Sequence, residues 1–93
     1  MAIPVTIPIN KTAEIISTID DRDMVQMGAY YLYLEKPKVD WGAARVGAEM
    51  HCLETRGMTR AEPVGPTRHE CQTQMSDGSC ARYAIIGDYQ CLP

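Results

Sequence analysis

Between Ala44 and Leu53 every second residue is apolar. Ala44, Val46, Ala48, Met50 and Cys52 share one parity, and Arg45, Gly47, Glu49 and His51 share the other. A period of two marks a strand with one wet face, so 44–53 is predicted to be the clearest strand of the chain. A second alternation runs through residues 2–10, with Ile3, Val5, Ile7 and Ile9 set against Pro4, Thr6, Pro8 and Asn10. Both prolines have the same parity, so the donors they lack are missing from one side only. This predicts an N-terminal edge strand or arm with a blunted outer edge, or an arm that joins a partner's sheet.

The rest of the chain also reads mainly as strand. Residues 13–19 (AEIISTI) are rich in β-branched side chains, which favours a strand, although a short helix capped by Asn10 or Thr12 competes. Asp20-Asp21-Arg22-Asp23 is turn-like. Met24–Glu35 has a β-favouring centre, Tyr30-Tyr31-Leu32-Tyr33-Leu34, and Lys36-Pro37-Lys38 breaks it. Residues 55–68 contain two Gly and two Pro without periodicity, which predicts a long surface loop. His69–Met75 reads as a strand and Ser76-Asp77-Gly78-Ser79 as a hairpin turn. A last strand over 81–91 puts Ala81, Tyr83, Ile85, Tyr89 and Cys91 on one face, with a bulge expected at Gly87. The expected fold is mostly β: one domain over 1–93, a small antiparallel sheet folded as a sandwich or partial barrel, at most one short helix, and two disulfides.

Composition sharpens this picture in two ways. A chain of 93 residues buries only about 60–65% of its unfolded surface, so covalent support is expected. Four dispersed cysteines, Cys52, Cys71, Cys80 and Cys91, could supply it. Their even number and the lack of a C-x-x-C predict two disulfides and an extracytoplasmic location, periplasmic or secreted. Buried, reduced cysteines in a cytosolic protein are the alternative. Met1-Ala2-Ile3-Pro4 carries no basic region and no long apolar run, so the chain reads as a mature form. Three connectivities are open. Cys52–Cys91 with Cys71–Cys80 is favoured, since Cys52 and Cys91 lie on apolar faces and Cys71 and Cys80 flank one turn. Cys52–Cys71 with Cys80–Cys91 needs a bend that Gly87-Asp88 could provide.

The formal net charge of −3 argues against general nucleic-acid binding, and no apolar run approaches a membrane span. His51, Cys52, His69 and Cys71 are of zinc-binding type, but neighbours on a strand point apart and disulfides would consume the thiols. No metal or cofactor is expected. The acidic run from Asp21 lacks the Gly and Glu of a calcium loop. Asn10-Lys11-Thr12 matches the glycosylation acceptor, a pattern of low specificity. With two histidines and no recognisable nucleophile context, no catalytic residue is assigned and the chain is not expected to be an enzyme.

Binding is the remaining chemistry. Tyr30 and Leu32 share one face of their strand, Tyr31 and Tyr33 the other, and a small domain rarely covers both faces of a strand. Tyr31, Tyr33 and nearby Trp41 are therefore candidate partner-binding residues, with simple core filling as the alternative. Arg56, Arg60 and Arg68, presented by the expected 55–68 loop, are a second candidate surface. Three functions follow: an exported protein that masks a protein partner, as an inhibitor or immunity protein does; a structural or adhesive subunit assembling by strand addition; and a small hydrolase using His51 or His69. A homodimer is compatible with the first two.

Overall fold

The computed structural model describes residues 6–93. Its centre is a 13-residue strand, β7 (Cys80–Leu92), and the other elements are arranged around it. Along one edge runs β3 (Met24–Leu32), antiparallel, from Met24 opposite Gln90 to Leu32 opposite Arg82. The outer neighbour of β3 is β2 (Glu14–Ile19), joined to it by a 3-10 turn over Asp20–Arg22. The other edge of β7 is shared by two shorter strands that run in the same direction. β5 (Arg60–Pro63) pairs with residues 89–92 and β6 (Arg68–Gln74) with residues 80–86. Residues 64–67 interrupt what would otherwise be one strand, with Gly65 at φ 72°. Strands β3 and β7 approach so closely that a Cβ on Gly28 would lie 2.1 Å from the Ile85 carbonyl oxygen. Only glycine fits there.

The mostly-β, antiparallel, doubly disulfide-bonded architecture stands as expected, with one helix. The helix, however, is made from the stretch that alternates most cleanly. Residues 44–53 are not a strand; they lie inside α1 (Trp41–Arg56). Asp40 caps it, its Oδ1 accepting from the Ala43 N–H at 3.1 Å, and Gly57 ends it at φ 66°. The alternation is two helical series interleaved. Ala44, Ala48 and Cys52 recur every four residues and are buried against the sheet. Val46 and Met50 recur every four residues on the other side and are exposed. Read together they mimic a period of two.

The core is small and lies where α1 crosses the sheet. Val25, Met27, Tyr89 and Cys91 from the sheet and Ala61 from β5 meet Ala44, Ala48 and Cys52 of the helix. Trp41 packs over Gly87, where a Cβ would come within 3.0 Å of its ring. Small inward side chains let the helix sit close but contribute little apolar area. The Cys52–Cys91 disulfide, fully buried, ties the last turn of α1 to β7. Arg56 completes that end by donating to Asp23 at 2.7 Å and Asp20 at 3.0 Å.

The expected loop over 55–68 is not continuous: the last turn of α1, Gly57 and β5 occupy most of it, leaving 64–67 as the connection. Lys36-Pro37-Lys38 does not end the strand pattern either. It lies in β4 (Glu35–Val39), which pairs in parallel with β1 (Ile7–Lys11) as a separate two-stranded sheet. Residues 2–5 of the expected N-terminal strand lie outside the described residues. Pro8 lies within β1. The Ile7 N–H donates to the Leu34 carbonyl at 2.8 Å, so the next residue's donor side faces away from β4. By the same alternation Pro37 turns its missing donor away from β1. Both outer edges of this pair are blunted by proline.

Candidate functional site: the aromatic end of the sheet

The helix covers only one end of its face of the sheet. Along β7, Cys91, Tyr89 and Gly87 lie beneath α1 or Trp41, whereas Tyr83, of the same parity, lies beyond them. Tyr31 of β3 stands directly opposite Tyr83, and their rings stack with centroids 5.3 Å apart. His69, from β6, meets Tyr31 edge-on at 5.7 Å, and its Nδ1 is 2.5 Å from the Tyr31 hydroxyl. With the ring protonated on Nε2, the phenol donates to Nδ1. Desolvation, and then the neighbouring Tyr83, push the Tyr31 phenol above the usual tyrosine range, which keeps it a neutral donor. His69 is exposed and both tyrosines are half-buried. The three rings form a wall with a polar rim.

Two turns frame this wall. The Glu35 carboxylate accepts from the Leu32 N–H at 2.7 Å, which fixes the turn carrying Tyr33 and Leu34. That bond, followed by Lys11, holds Glu35 below the usual carboxylate range. Across from it, Asp77 accepts from the Ser79 N–H at 2.9 Å and hydroxyl at 2.6 Å, and these bonds lower its pKa. They shape the hairpin turn, with Gly78 at φ 90°. Between the turns lies an open groove of about 620 Å³ lined by Tyr33, Tyr83, Gly78, Ser79 and Cys80. Tyr33 is 63% exposed. The Cys71–Cys80 disulfide closes the hairpin at this end. Two irregularities in the β6–β7 ladder bring those cysteines together.

Of the residues singled out in the sequence, the structure gathers Tyr31 and Tyr33 at this end. Trp41 lies elsewhere, half-buried beside a second cleft of about 320 Å³ with Arg45, Pro63, Asp88 and Tyr89. The three arginines do not form one surface. Arg56 is engaged by Asp20 and Asp23, Arg60 donates to the Pro93 carbonyl, and Arg68 pairs with Glu70 and Asp88 on the opposite face of the sheet. Tyr83 and His69 are the partners that sequence reasoning did not join to Tyr31. Their signal is parity: His69 and Cys71 share a face, as do Tyr83 and Cys91. Cys52 and Cys71 are disulfide-bonded, so neither sulfur can ligate a metal. Among the described residues no group of three metal-ligating side chains converges, and no helix is long and apolar enough to cross a membrane.

A small, disulfide-bonded, β-rich protein of the extracytoplasmic kind is the class that this fold defines. The family comparison agrees. A family model described as YecR-like lipoprotein matches residues 12–92, and the chain belongs to that family. Family and disulfides together indicate an extracytoplasmic location. No curated protein is similar enough to the chain to match it.

Proposed function

We propose that this protein is a non-catalytic extracytoplasmic binding module that masks a protein partner through its aromatic end. One observation carries the reading: Tyr31, Tyr83 and His69 pack against one another on a sheet surface that the helix leaves open, with Tyr33 exposed beside them. Tyrosines with two side-chain torsions lose little entropy on binding and dominate interface hot spots. An inhibitor or immunity protein works by such a pre-formed surface.

The experiment is site-specific photo-crosslinking in cells from position 33, with position 22 on the opposite end as control. The expected result is one discrete protein adduct from position 33, lost on Tyr31→Ala, and none from position 22. Identical adduct patterns from both positions, or no adduct at all, would remove the proposal. Assembly by strand addition is the second reading. It is favoured by β2, whose outer edge has no neighbouring strand among the described residues, and opposed at β1 and β4 by their prolines.

A further inference from the structure

The outer face of α1 is inverted with respect to an ordinary surface helix. Its buried side is built from small residues, Ala44, Ala48 and Cys52, and its larger apolar side chains point outward. Val46, Met50 and Leu53 are 55%, 57% and 55% exposed. At about 100° per residue they fall within roughly 60° of one another, on the side of the helix away from Ala48. With exposed Ala43 they are spaced three, four and three residues apart, the spacing of a helix–helix seam. An exposed apolar stripe of this kind is the mark of an interaction surface.

The charges beside the seam select its occupant. Glu54 borders it on one side and makes no ion pair among the described residues; Glu49 borders it on the other, with only an exposed 3.4 Å contact to Arg45. A second copy of α1 fits badly in either direction. In antiparallel pairing Glu49 meets Glu49 of the second copy, and Glu54 meets its Asp40. In parallel pairing Glu49 meets Glu54. Carboxylate against carboxylate disfavours self-association, and the same acidic border opposes an anionic lipid surface. We infer that the outer face of α1 docks a cationic amphipathic helix of another protein, apolar along its centre and Lys- or Arg-bordered.

The test uses two synthetic helical peptides of about five turns (~18 residues). Both carry Leu along the seam; one has Lys borders and the other Glu borders. NMR shifts of the Val46, Met50 and Leu53 methyls report binding to the full chain. The Lys peptide is expected to shift these methyls and the Glu peptide to leave them unmoved. Met50→Asp should weaken the Lys peptide by about tenfold or more, and Glu49→Lys with Glu54→Lys should reverse the preference. Met50 and Glu54 are exposed and Glu49 is half-buried, and a circular dichroism melt checks that the variants fold. Absence of binding, equal binding of both peptides, or a preference that survives the charge swap would overturn the inference. So would concentration-dependent dimers in sedimentation that Met50→Asp abolishes, since the occupant would then be a second copy. Tyr33 and Tyr31 take no part in this face, so the result is independent of the aromatic end.

Discussion

Both disulfides use β7, one near each end, and their surroundings differ. Cys91 lies at the end that α1 covers, where Cys52 is completely buried, and the bond ties helix to sheet. Cys80 lies at the end the helix does not reach. There Cys71 is exposed and the bond only closes a hairpin nine residues apart in sequence. One end is a core with a layer on each side of a contact. The other is a single sheet layer whose rings are held by stacking, one short hydrogen bond and two turns. The difference teaches that this protein concentrates its stability at one end and leaves an ordered but thin surface at the other. Binding surfaces are drawn from regions of lower local stability.

The contrast can be broken most severely at the buried bond. Cys52→Ala with Cys91→Ala releases a loop of 39 residues and is expected to cost about 4 kcal/mol, lowering Tm by roughly 15–30 °C. Thermal denaturation followed by circular dichroism measures it. Cys71→Ser with Cys80→Ser releases a much shorter loop, for which the chain-entropy model gives at most about 2.7 kcal/mol. Hydrogen exchange should then accelerate in residues 69–82 while amides of 25–29 and 87–91 stay protected. Equal global losses from the two pairs would show that the ends are not separate. Trp41→Ala should cost about 2 kcal/mol, less than the 3–5 of a fully buried ring, because Trp41 is only half-buried.

Smaller effects sharpen the contrast. Tyr31→Phe removes the hydroxyl that bonds His69 and should change stability by less than about 1 kcal/mol, read as a Tm shift of a few degrees, while altering the His69 ring resonances in NMR. Acid offers the last comparison. Asp20 at the helix end, held low first by the Arg56 hydrogen bond, and Glu35 and Asp77 at the aromatic end all have depressed pKa values. A depressed carboxylate stabilises the fold above its unfolded pKa, and the contribution is lost as pH falls through the folded value. Stability should therefore hold near neutrality and decline below the ordinary values of 3.8 for Asp and 4.5 for Glu. Asp77→Asn should remove part of that decline and speed exchange only in the hairpin, as a series of melts and exchange profiles from pH 7 downward would show.

How much of this was legible in the chain depends on how local each signal is. The strands β2, β3, β6 and β7 and the turn at Asp77-Gly78 follow from composition, parity and turn chemistry, all of which act within a few residues. The disulfide pairing is only favoured by the sequence, and one of its two reasons fails, since Cys52 lies in a helix and not on a strand face. Tyr31 and Tyr33 could be singled out because a strand apolar on both faces is unusual in a small domain. The helix could not be read from alternation, since 44–53 carries two apolar faces whose four-residue repeats interleave. Asp40 and Gly57, which cap the helix in the structure, are local signals that the alternation obscured. Lys36-Pro37-Lys38 misled for a related reason: proline excludes a ladder donor on one side only, so an outer position in a strand remains open to it.

The chain alone was enough to establish a mostly-β, doubly cross-linked domain and the face-sharing of residues in its longest strand, β7, because steric and hydrogen-bonding rules along the backbone are local. Only the tertiary structure decided which of two apolar helix faces went inward. Gly87 leaves room for Trp41, and the buried cysteine of α1 had to meet Cys91, so the face with small side chains closed on the sheet. The same packing decided that Tyr31 would meet His69 and Tyr83, since those residues are brought together by strand order and register, which no single segment encodes.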